Sequence, residues 1–65
     1  MRSFECLITD DRFSVRQLTW IVVGSEERAH ELAREELRRN KHCAAVELRE
    51  NGRLLATMIR HEAGA

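Results

Sequence analysis

The chain has no proline and no tyrosine, only three glycines, one tryptophan and two phenylalanines, and its 11 basic residues cancel its 11 acidic ones. Each shortage closes a class of function. Three scattered glycines make no phosphate-cradling loop, and there is no G-x-S-x-G elbow. No tyrosine is available as a proton donor. A net charge of zero removes the main electrostatic drive toward nucleic acid, because phosphate contacts dominate such affinity. No apolar run approaches the roughly 20 residues that span a bilayer. The two cysteines, Cys6 and Cys43, lack C-x-x-C spacing and read as reduced thiols serving as small core residues. The opening residues MRSFECLITDD lack the basic, apolar, small order of a secretory signal, so a cytoplasmic location is expected. The lack of proline fits compact, regular elements.

What is present is enough for one domain spanning residues 1–65, with 1–2 and 62–65 expected to fray. Apolar residues at 43% and charged residues at 34% describe a globular chain, not a disordered one. At this length a single core supplies only about 3–5 kcal/mol unless disulfides, metal or oligomerisation assist.

The organising stretch is Ser25–Asn40, SEERAHELAREELRRN. At helical spacing Ala29, Leu32, Ala33 and Leu37 fall within an arc of about 140°. Ser25 is the expected N-cap, its hydroxyl accepting from a first-turn amide. Glu26 and Glu27 face the positive end of the dipole, and Arg38, Arg39 and Lys41 the negative end. Glu31–Arg34 and Glu35–Arg38 stand at pairing distance along the helix. Glu36 falls inside the stripe and is expected to reach solvent or an arginine, since unpaired buried charge is expensive. His30 lies at the stripe's edge as a packed or half-exposed side chain.

Ser3–Thr9 alternates as a half-buried strand, with Phe4, Cys6 and Ile8 on one face. Asp10-Asp11-Arg12 is the expected turn. Ser14–Val23 reads as a second strand, but Leu18/Trp20/Val22 and Val15/Ile21/Val23 are both apolar, so either set fits the core. Gly24 ends it. Cys43–Glu50 begins a third strand, and Asn51-Gly52 predicts a type I′ hairpin. A regular ladder from that turn puts Glu50 opposite Arg53, Leu48 opposite Leu55, Val46 opposite Thr57 and Ala44 opposite Ile59. Ala44, Val46, Leu48, Leu55 and Ile59 would then face the helix, and Leu54, Ala56 and Met58 the other side.

The order ββαββ predicts an α+β two-layer sandwich, with a four-stranded antiparallel or mixed sheet and one helix on one face. A β-grasp topology, with first and last strands paired in the middle, is the leading arrangement. In residues Val22 to Ala33 and Val46 to Leu55, about half the chain, the pattern resembles short bacterial ββαββ proteins of unknown function. Those carry a strand pair, an Ala/Arg/Glu-rich helix after a V-x-S-x-E-like lead-in, and a closing Asn-Gly or Asp-Gly hairpin. The resemblance implies no activity.

One helix shields one side of the sheet. The apolar residues left on the other side point to association with a second copy or another protein, and Trp20, Leu54, Ala56 and Met58 are the candidate interface residues. A small non-enzymatic interaction module, self-associating as a homodimer, is therefore the expected function. Three other readings fit the residues less well. The basic cluster Arg38-Arg39-Asn40-Lys41-His42, with Trp20 as a stacking aromatic, would suit a nucleic-acid-binding accessory protein, but the cluster already has a structural reason at the helix C-terminus. His42 opposite His61, near Glu62, suggests a metal pair, yet Cys43 is expected on the other face and the ligand set is incomplete. A nucleophile fails too, because His42 and Cys43 diverge as strand neighbours. No catalytic residue, cofactor or metal ligand is therefore expected.

Overall fold

The computed structural model describes residues 1–60 of the chain. Its elements run β1 (Arg2–Asp10), β2 (Gln17–Val23), α1 (Glu26–Arg39), β3 (Cys43–Glu50) and β4 (Arg53–Ile59). The four strands form one antiparallel sheet in the order β2-β1-β3-β4, and α1 lies across one side of it. The protein is an α+β two-layer sandwich with ββαββ order.

The strand order departs from the β-grasp arrangement. β1 pairs with β3 in the middle, and β4 takes an edge. Burial accounts for the choice. β1 contributes Phe4, Cys6 and Ile8 and β3 contributes Cys43, Val46 and Leu48 to the buried set, whereas no residue of β4 is fully buried. Pairing the two strands that carry the buried side chains puts them in the middle of the sheet, and the tight hairpin leaves β4 only the outer side of β3.

The helix forms where its stripe, cap and charges agree. Ser25 is extended, and its hydroxyl accepts from the Arg28 amide. Asn40 closes the other end, donating its backbone N–H to the Glu36 carbonyl at 3.1 Å. Ala29 and Ala33 are fully buried, and their lack of bulk lets the helix sit close on the strands. They split the core into two adjoining clusters: Phe4, Ala29 and Leu48 on one side, Cys6, Ile8, Ala33, Cys43 and Val46 on the other, with Ile21 touching both. At one end Arg2 starts β1 and grips Glu50 with two hydrogen bonds, of 2.9 and 2.7 Å.

Asn51 and Gly52 both have positive φ, 52° and 78°, as the type I′ turn requires. Glu50 faces Arg53 and Arg49 faces Leu54, but beyond that the ladder slips: Leu48 faces Ala56, Val46 faces Met58 and Ala45 faces Ile59. Leu55 is the extra residue, a β-bulge. A matching slip between β1 and β3 pairs Asp10 with Cys43 and leaves Ala44 over. Because side chains alternate, each inserted residue reverses the facing of everything beyond it. Ala56 and Met58 therefore turn toward the helix and pack on the core, while Ile59 turns away. Likewise Cys43 is buried and Ala44 exposed. These are corrections to the regular ladder expected from the turn.

Candidate functional site

β2 begins at Gln17, three residues later than its apolar run suggested, and Ser14–Arg16 belong to the connection from β1. Its register settles which apolar set is buried. Phe4 faces Ile21 and Arg2 faces Val23, so Ile21 and Val23 point to the helix side. Ser3 faces Val22, Glu5 faces Trp20 and Leu7 faces Leu18, on the side no helix covers. There Leu18, Trp20 and Val22 form a line 52%, 58% and 54% exposed. Leu54 and Ile59 expose comparable apolar surface on β4 at the opposite edge.

Between the two apolar edges the uncovered side is charged. Glu5 lies opposite Arg49, and Leu7 opposite Glu47. Arg49 reaches Glu47 at 2.8 Å, and Arg16 reaches the other oxygen of the same carboxylate at 3.1 Å. The hydrogen bond from Arg49 is the main cause that lowers the Glu47 pKa, aided by the charge of Arg16. The surface is thus an apolar strip along β2, a self-neutralised centre and a second apolar strip along β4. Of the four residues read from the sequence as interface, Trp20 and Leu54 lie on this side. Ala56 and Met58 do not.

A shallow cleft of about 230 Å³ opens between α1 and β2, lined by Cys6, Thr19, Trp20, Ile21, Leu32, Glu35, Glu36 and Arg39. It is smaller than the roughly 300 Å³ at which small-molecule sites begin. Burial, with lesser contributions from Glu36 and Cys43, pushes the Cys6 thiol up to about 11, and burial likewise raises Cys43. Neither sulfur is a thiolate near neutral pH, so neither is poised for attack. Glu36 pairs with Arg39 at 2.9 Å, the second of the two fates expected for it.

The end of the sheet near the first turn carries a polar knot the sequence reading missed. Asp10, read only as a turn former, is buried, its carboxylate accepting from the Arg12 backbone N–H at 2.9 Å and from the Arg12 side chain at 3.0 and 2.8 Å. Those bonds hold its pKa well below the usual carboxylate range. Arg60 donates to the carbonyls of Cys43 and Asn40, both at 2.9 Å, and ties β4 to the segment leaving the helix. The signal was the Asp-Asp-Arg order itself, but only the fold reveals that the first aspartate is enclosed.

The basic cluster is largely committed. Arg38 pairs with Glu35, Arg39 with Glu36, and His42 stands 3.4 Å from Asp11, while Asn40 caps the helix. His30 pairs with Glu26 at 3.2 Å. The His42–His61 pairing lies outside the described residues. Among the described residues no three His, Cys, Asp or Glu side chains gather as metal ligands, and no helix is long and apolar enough to cross a membrane.

Comparison with protein-family models, curated proteins and solved structures gives no match to this chain. The functional reading therefore rests on the geometry alone.

Proposed function

We propose that the protein is a small interaction module without catalytic chemistry that works as a homodimer, associating through the uncovered side of its sheet along β2. The observation that carries this reading is the exposed line of Leu18, Trp20 and Val22 on a strand, QLTWIVV, that contains no charged residue. Monomers rarely leave such a strip bare, and a second copy is the simplest cover for it. Thermodynamics points the same way, since a domain of this length has little stability to spare. Arg16 and Arg49 both satisfy Glu47 within one chain, so no net charge at the centre of the uncovered side repels an approaching second copy.

The test is solution mass by sedimentation from micromolar to millimolar concentration, for the wild type and for Trp20→Glu. A dimer that Trp20→Glu converts to monomer, with the same circular dichroism, supports the reading. A wild type that stays monomeric throughout removes it.

A further inference from the structure

Resting on that reading, we infer that the dimer forms edge to edge: β2 pairs antiparallel with β2 of a second copy, making one eight-stranded sheet with the order β4-β3-β1-β2-β2-β1-β3-β4. Four observations carry the step from "uncovered side" to "edge".

The first is that β2 is an unguarded edge. Its inner side is hydrogen-bonded to β1, so every second residue turns its N–H and C=O outward, and among the described residues no strand receives them. Proteins that live as monomers protect such an edge with a lysine, a proline, a bulge or a covering segment. β2 has no charge and no proline, and its seven pairs with β1 run without a slip. The helix packs chiefly on β3 and lies over one side of β2, where a shallow cleft opens between them.

The second is self-complementarity. A twofold axis at Trp20 pairs all seven residues: Gln17 with Val23, Leu18 with Val22, Thr19 with Ile21, and Trp20 with its own copy. Directly opposed residues share a face in an antiparallel ladder. This even register therefore sets Leu18, Trp20 and Val22 of one copy against Val22, Trp20 and Leu18 of the other, so that opposed apolar side chains cover one another's flanks, with both helices on the other side. No charged residue is brought opposite another.

The third is the cost of the alternative. Stacking the uncovered sides face to face would bury Glu5, Glu47, Arg49 and Arg16 at the centre of the interface, and desolvating ion pairs erodes what the apolar edges gain. Edge pairing leaves those groups in water.

The fourth explains why growth would stop at two. A sheet with two open edges polymerises, whereas one with a single open edge closes as a dimer. The other edge, β4, is blunted by the Leu55 bulge, and arginines stand at both of its ends, Arg53 and Arg60.

The experiment is amide hydrogen exchange resolved by NMR along Gln17–Val23, at a concentration where sedimentation gives monomer and at one where it gives dimer. In the monomer every second β2 amide exchanges fast. On pairing, those same amides slow about tenfold once about nine-tenths of the protein is dimeric, so that consecutive β2 amides are all protected. A dimer in which every second β2 amide stays fast overturns edge pairing while leaving self-association standing. A chain that remains monomeric at every concentration overturns both.

Discussion

The two edges of this sheet have the same length and nearly the same apolar content, yet they are built to opposite ends. β4 carries one residue more than a regular ladder: Leu55 bulges, Arg53 sits at the turn, and Arg60 is drawn back onto the Cys43 and Asn40 carbonyls. β2 has no bulge and no arginine within Gln17–Val23, Arg16 standing just before it, and keeps perfect register with β1 over seven residues. Edge exposure is therefore not the quantity that matters. Leu54 and Ile59 are as exposed as Leu18 and Trp20, but only β2 offers a straight, uncharged backbone rail beside its apolar side chains. Apolar exposure marks where a partner would gain; the state of the backbone decides whether it can dock.

The largest effects that separate the two strands come from their different partners within the monomer. Met58 packs on the Cys6, Ile8 and Val46 cluster, so Met58→Glu forces a carboxylate against the core and removes about 2–4 kcal/mol, most of what a chain of this size possesses. Urea unfolding should find the midpoint of this variant moved most of the way toward zero denaturant. Trp20→Glu, on exposed surface, should shift the unfolding free energy of the monomer by less than about 1 kcal/mol. Equal losses in the two variants would mean that Met58 and Trp20 are not on opposite sides of the sheet.

Next in size is the turn that holds β4 in place. Gly52 has φ +78° with open space around its α-carbon, so Gly52→Ala is opposed by backbone conformation alone. It should cost roughly 1–2 kcal/mol in thermal or urea unfolding and leave the dimer mass unchanged.

The loop that leads into β2 gives a pH-dependent counterpart. The Asp10 carboxyl is held by Arg12 below its ordinary value of 3.8, so the unfolded chain binds its proton more readily than the folded one. The stabilisation is intact above that ordinary value and is lost as the pH falls through and below it. Asp10→Asn should therefore flatten the loss of urea midpoint between neutral pH and about pH 3. Some slope should survive, because Glu35, Glu47 and Glu50 are lowered in the same direction by their arginines. An unchanged slope would remove Asp10 from the acid response.

The smallest effect expected is from Ile59→Lys on the outer end of β4. Ile59 is exposed and faces away from the helix, so stability should move by no more than about 0.5 kcal/mol, and mass not at all.

How far the sequence foretells this molecule depends on the range of the interaction concerned. The helix was legible to within a residue because Ser25, the Ala/Leu stripe and the terminal charges are all local and agree. The β3 boundaries and the Asn-Gly turn were legible for the same reason. The bulges were not. Leu54 and Leu55 are both leucines, so a one-residue insertion between the two faces leaves no trace in the apolar pattern, yet it moved Ala56 and Met58 from the candidate interface into the core. Val15 likewise looks like a strand residue, but lies in the connection before β2. Strand order was illegible because it is decided by which strands bury most under the helix, a comparison between distant segments. Glu47 and Arg49 are same-face neighbours along β3 in any strand order, but Glu5 joins them only once β1 and β3 are known to be paired.

The contrast between the edges can be read in one pair of variants that place a lysine on each. Thr19 is in the middle of β2 on its helix side, and Thr57 is in β4 opposite Glu47 on the uncovered side. Sedimentation at a concentration where the wild type is dimeric should give a monomer for Thr19→Lys, whose charge would meet Ile21 of the second copy, and a dimer for Thr57→Lys. A dimeric Thr19→Lys beside a monomeric Thr57→Lys would show that the molecules meet face to face across β4 and that β2 is not the joining edge.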